Sequence, residues 1–89
     1  MQLEKINIRD ITDEEYTAAL KLFPDIPKRG EDTKRTLAGR ILLKKMIKRF
    51  YGKEDFKLYY NENGKPLCDF CYFNISHSGD YAVCAVSER

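Results

Sequence analysis

Hydrophobic spacing along the chain changes period twice, and the changes divide it into elements. Leu3, Ile6 and Ile8 alternate loosely with charged residues and predict a short, half-buried strand. Thr12-Asp13-Glu14-Glu15 then forms a Thr-x-x-Glu capping box, which opens a helix running to about Phe23. Its acidic first turn suits the positive end of the helix dipole. Pro24 stops the helix, and a proline-bounded loop carries Lys28 and Arg29 as far as Gly30.

The strongest periodicity follows. Leu37, Ile41, Leu42, Leu43, Met46, Ile47 and Phe50 recur at helical spacing and predict a long helix from about Glu31 to Tyr51. That stripe leaves Arg40, Lys44, Lys48 and Arg49 mostly outside, and Gly52 is placed to end the helix in a left-handed conformation. Gly39 falls mid-helix at a cost of about 1 kcal/mol relative to alanine. Its presence there fits a close approach by another backbone or a ligand.

After Gly52 the period shortens to that of strands. Phe56 to Tyr60 is followed by Asn63-Gly64, a hairpin-turn signal, and then by Lys65-Pro66-Leu67. Pro66 restricts that return to an edge or an irregular arm. Tyr72 to Ile75 and Tyr81 to Val86 predict a second strand pair joined by Ser78-Gly79-Asp80. Val83 and Ala85 share one face of the last strand and Ala82, Cys84 and Val86 the other, so cover is expected on both sides. The fold class expected is α+β: one domain over residues 1–89, a small antiparallel sheet packed on one long helix.

Composition narrows the function. Hydrophobic residues at 43% and aromatics at 12% argue for a folded chain. The net charge of +2 carries no whole-molecule nucleic-acid signal. Its distribution is uneven, however: Lys28 to Arg49 holds nine of the sixteen basic residues against two acids. One surface is therefore suited to a phosphorylated or acidic partner, unless the run is simply a solvated helix face. Cys68, Cys71 and Cys84 follow no apolar leader, which points to a reduced, cytoplasmic protein. A lone Cys68-x-x-Cys71 pair lacks the partners of a structural zinc site. No apolar run approaches the roughly 20 residues of a membrane span.

Asn74, Ser76, His77 and Ser78 gather polar groups near a glycine turn, which makes an anion cradle or merely a polar strand exit. Lys65 after the Asn63-Gly64 turn and Arg35-Thr36 on the long helix are each weak signals alone. Their order is more specific. Glu31-Asp32-Thr33-Lys34-Arg35-Thr36-Leu37-Ala38-Gly39-Arg40, then Gly64-Lys65-Pro66, then Phe73-Asn74-Ile75-Ser76-His77-Ser78 and Gly79-Asp80-Tyr81 resembles the N-terminal half of the larger, pseudo-dimeric phosphopantetheinyl transferases. The resemblance runs from about Lys28 to Ser87.

The resemblance implies half of a pseudo-dimeric fold and a coenzyme A site. The family moves 4′-phosphopantetheine from coenzyme A to a serine of an acyl or peptidyl carrier protein, using magnesium. It places Lys28 or Arg29, Arg35 and Thr36 near the nucleotide 3′-phosphate, with Lys65, Ser76 and His77 beside adenosine and phosphates. Charge-assisted donors of this kind suit a multiply charged anion. The family's magnesium carboxylates lie in a Gly-x-Asp-x-Glu strand beyond the FNxSHS segment, followed by a Lys-Glu motif. After Ser78 this chain carries only Asp80 and Glu88 as acids, neither at the family's position. Phosphoryl transfer depends on metal charge neutralisation, so the expectation is a truncated or separately encoded portion, catalytically incomplete, with no catalytic or metal residue of its own. It is also expected to homodimerise or to need a missing C-terminal half, because the apolar strand Tyr81 to Val86 lacks cover. Two alternatives are a non-catalytic module that binds coenzyme A, phosphate or a partner protein, and a small basic nucleic-acid-binding domain.

Overall fold

A computed structural model describes residues 1–24, 30–54 and 56–88, with side chains omitted at 30–32. The elements are β1 (Gln2–Asn7), a 3-10 turn (Ile8–Asp10), α1 (Asp13–Leu22), α2 (Gly30–Tyr51), β2 (Leu58–Tyr60), β3 (Pro66–Cys68), β4 (Cys71–Ser78) and β5 (Tyr81–Glu88). The chain is thus α+β, with antiparallel strands and two helices.

The strands form two sheets rather than one. Strands β1, β5 and β4 make a three-stranded sheet in that order, and β2 with β3 makes a separate ribbon. In the larger sheet Leu3 lies opposite Ala85 and Ile6 opposite Ala82, while Phe73 faces Val86 and His77 faces Ala82. Opposed residues share a face, and neighbours along a strand alternate. One face therefore carries Glu4, Ile6, Ala82, Cys84, Val86, Phe73, Ile75 and His77. The other carries Leu3, Lys5, Val83, Ala85, Tyr72, Asn74, Ser76 and Ser78.

Helix α2 covers the first face. Leu43, Met46 and Ile47 are buried with Cys68, Cys71, Cys84 and Val86 in one cluster. Leu37, Ala38 and Ile41 join Ile11, Ala19 and Phe23 of the α1 side in a second. Ile6, Phe56 and Leu58 pack against both clusters. The second sheet face stays open, with Leu3 68% and Tyr72 56% exposed. Leu3 and Ile6 are an odd number of residues apart, so the pleat puts them on opposite faces and only Ile6 reaches the helix.

Three sequence-based expectations change. Strand β5, for which cover on both faces is expected, is the central strand with partners at both edges, but among the described residues only its Ala82, Cys84 and Val86 face is covered. Its Val83 and Ala85 are half-buried by neighbouring side chains, without a covering layer. Arg40, expected outside, is 6% exposed: its guanidinium packs over the Phe23 ring at 5.3 Å and the Tyr60 ring at 5.8 Å. Finally, the FNISHS segment sits within β4 rather than at a strand exit. Pairing continues to Ser78 opposite Tyr81, and Gly79-Asp80 closes the hairpin in two residues. Gly79 has φ +58°, the positive value that a tight hairpin turn demands at its first position.

The expected helix signals are present in full geometry. Thr12 Oγ1 accepts from Glu15 N at 3.2 Å, and Thr12 N donates back to Glu15 Oε1 at 3.2 Å. Gly52 ends α2 with φ +67°. The Asn63-Gly64 turn is a five-residue loop organised by Asn61, whose Oδ1 accepts from the backbone of both Asn63 and Lys65 at 2.9 Å.

Candidate functional site

His77 is carried on the helix-facing side of β4 and reaches the first turns of α2. Its Nε2 lies 2.7 Å from the Arg35 carbonyl oxygen. A carbonyl can only accept, so Nε2 holds a proton and Nδ1 is left to meet a ligand.

Gly39 makes this meeting of strand and helix geometrically feasible. A Cβ at that position would collide with Ile75 Cγ2 and stand 3.6 Å from His77 Nε2. The close approach inferred from the sequence is thus made by β4 side chains. The missing methyl lets β4 settle on α2 and fixes where the imidazole stands.

Beside Arg35 opens a polar cleft of about 450 Å³. It is lined by Lys34 and Arg35 from α2, Arg9 from the 3-10 turn, Asp13 and Tyr16 from α1, and Gly79 and Asp80 from the hairpin. The hairpin is anchored to the 3-10 turn by Ile8 N donating to Asp80 O at 2.7 Å and by an Arg9–Asp80 ion pair at 3.2 Å. Three cations meet two carboxylates on this wall, so it favours an anion. Arg9 was not visible as a site residue in the sequence, because its place depends on the 3-10 turn docking on the hairpin.

The other expected site residues divide. Thr36 is half-buried next to Arg35 on α2. Ser76 lies on the open sheet face, opposite Val83, and so points away from His77, as do Asn74 and Ser78. A single cradle built from all four polar residues is therefore not formed: alternation along a strand separates His77 from its neighbours. Lys65 is exposed on the β2–β3 loop and does not line the cleft. Lys28 and Arg29 lie outside the described residues.

Titration behaviour follows burial and pairing. Burial pushes the Cys84 thiol up to about 12, with neighbouring Cys71 and Glu4 adding to it. The Lys45 ammonium, 3.0 Å from Glu15, and the Thr12 backbone N–H together hold the Glu15 carboxyl below its ordinary range. For magnesium, Asp80 is committed to Arg9, and the described residues gather no three His, Cys, Asp or Glu side chains around a common point.

Residues 7–89 match the family described as "4'-phosphopantetheinyl transferase, N-terminal". The chain is 44% identical over 65 residues to the 4'-phosphopantetheinyl transferase Sfp of Bacillus subtilis strain 168, covering 66% of this chain and 29% of that protein. It is 40% identical over 62 residues to the 4'-phosphopantetheinyl transferase gsp of Aneurinibacillus migulanus, covering 66% of this chain and 26% of that one. The chain thus spans between a quarter and a third of the length of these relatives.

Proposed function

This chain belongs to the 4'-phosphopantetheinyl transferase N-terminal family, and from that premise we propose that it holds the nucleotide end of coenzyme A for transfer of 4'-phosphopantetheine to a carrier-protein serine. The observation that carries the reading is the junction of α2 with β4. There the His77 imidazole is fixed on the carbonyl of Arg35, and Arg35 with Lys34 and Arg9 lines the adjoining cleft, which His77 itself does not line.

The physical logic is electrostatic positioning. Arg35 and Lys34 supply charge-assisted donors to phosphate, and the planar fork of Arg35 adds direction. His77, held by one ring nitrogen, offers the other without the entropy loss of a free side chain. Gly79 leaves its backbone open to close approach by a ligand. These groups bind and orient a donor, whereas activating its pyrophosphate requires charge neutralisation of the kind a divalent metal supplies when bound. We therefore assign donor holding, rather than metal chemistry, to the charged groups gathered at this junction.

The experiment combines the chain with coenzyme A, magnesium and an apo carrier protein, and reads the carrier by mass. Coenzyme A should remain with the chain through dialysis, while the carrier mass stays unchanged. Carrier modification at a rate typical of the family would contradict the assignment of holding alone. Failure to retain coenzyme A would contradict the holding role itself.

A further inference from the structure

Arg40 is the one charged side chain buried among the described residues, and its interactions are incomplete. The residue is 6% exposed. Nη2 donates to the Tyr60 hydroxyl at 3.3 Å, while Nη1 is buried with no hydrogen-bond partner. Phe23 and Tyr60 lie within 6 Å of the guanidinium carbon and supply their π-faces. Ring contacts soften the burial of a cation but do not satisfy an N–H. No carboxylate forms an ion pair with it among the described residues. A buried guanidinium in this state is poised for an anion that arrives from elsewhere.

Its position suggests which anion. On α2, Arg40 follows Thr36 by four residues, so the two stand one above the other on the same face. Its hydrogen-bond partner Tyr60 is opposite Pro66, and the Lys65 carbonyl accepts from Asn61 N at 3.0 Å, next to Tyr60 in the chain. Arg40 therefore joins the α2 face that carries Thr36 to the β2–β3 ribbon whose loop carries Lys65. Tyr60 is 43% exposed, so of the two covering rings it is the one that borders solvent.

We propose that Arg40 is an anion-binding residue whose buried guanidinium receives a phosphate group of coenzyme A. This rests on the coenzyme A reading above. It adds a residue that the sequence places on the solvent side of the helix. In a guanidinium the N–H bonds lie in one plane, so Nη1 and Nη2 together make a fork matched to two phosphate oxygens. Filling that fork removes the unsatisfied donor, which couples ligand binding to the stability of the α2–β2 packing.

The test is a melting and titration series on the full chain, using coenzyme A, dephospho-coenzyme A and inorganic pyrophosphate. Wild type and Arg40→Met are compared, with Arg40→Lys as a second variant that keeps charge but loses the fork. Without ligand, Arg40→Met should melt at or above the wild-type temperature, because an unsatisfied buried charge has been replaced by an apolar chain. Its coenzyme A affinity should fall at least tenfold, its pyrophosphate-induced stabilisation should vanish, and Arg40→Lys should fall between. A smaller loss with dephospho-coenzyme A would identify the 3′-phosphate as the group bound, and an equal loss would identify the pyrophosphate.

Equal coenzyme A affinity in wild type and Arg40→Met would overturn the proposal while leaving the coenzyme A reading intact. Stabilisation by pyrophosphate through Arg40, without any coenzyme A binding, would overturn both the coenzyme A reading and the assignment of Arg40 to that ligand. Strong destabilisation of Arg40→Met, with no anion effect on wild type, would show a purely structural guanidinium and also overturn it.

Discussion

Gly39 shows how one absent side chain can fix a site. Adding a methyl there would gain about 1 kcal/mol of helix propensity. It would also drive into Ile75, and overpacking of this kind costs about 1–3 kcal/mol. Gly39→Ala is thus expected to be destabilised overall by up to about 2 kcal/mol in denaturant titration, with coenzyme A binding weakened because His77 is pushed from the helix. A stabilised Gly39→Ala variant would contradict this packing. Cys84 lends itself to a simpler measurement. Burial holds its thiol up to about 12, so it stays protonated at neutral pH. Its alkylation should be slow in the native chain and fast in denaturant; rapid native labelling mapped to Cys84 would contradict its place in the core.

At this scale the sequence also misled in a traceable way. Arg40 looked solvent-facing because helical periodicity assigns a face by the apolar stripe alone. The rings that cover it come from Phe23 and Tyr60, seventeen residues before it and twenty after it. Periodicity within one helix cannot contain that information.

Among elements, α1 was the most legible. The Thr12–Glu15 capping box is local chemistry, so four residues suffice to specify it. Thr12→Ala should lower stability by about 1 kcal/mol in denaturant titration, and an unchanged midpoint would contradict the capping role. Glu15 adds a pH signature. Its folded pKa is depressed, so its contribution is fully present above the unfolded value of about 4.5 and is lost as pH falls through the lower folded value. Glu15→Gln should flatten the acid limb of the stability profile below about that pH while changing the alkaline side little. A parallel profile across the acid range would count against the Lys45 pairing.

The hairpin was legible in kind but not in length. Gly79 announced a turn, yet whether pairing stopped at Ile75 or ran to Ser78 depends on the conformation of two loop residues. The consequence is functional. Once the strand extends through FNISHS, Ser76 and His77 fall on opposite faces, and the cluster read from adjacency becomes a single imidazole directed at α2.

Across the whole molecule, the helix-facing and open faces of the sheet divide the labour. Helix α2 buries one face and orders His77; the other remains apolar and polar by turns, with Leu3, Tyr72, Ser76 and Asn74 exposed. The cationic cleft wall forms where α2, the 3-10 turn and the β4–β5 hairpin converge, at one end of the sheet. No helix among the described residues is long and apolar enough to cross a membrane. Order of motifs along the chain disclosed the family, because that order survives without any knowledge of distances. Which donors converge had to wait for the register of β4 and the docking of the 3-10 turn, both of which are long-range.

The proposed function requires that coenzyme A be held at the α2–β4 junction, where His77 meets Arg35. Isothermal titration of the chain with coenzyme A, beside Arg35→Ala and His77→Ala variants shown to be folded by circular dichroism, tests it most directly. The account predicts saturable one-to-one binding that weakens with salt and drops at least tenfold in each variant, about 1.4 kcal/mol or more apiece. Binding that is absent in the wild-type chain, or equally tight in the folded variants, would contradict it.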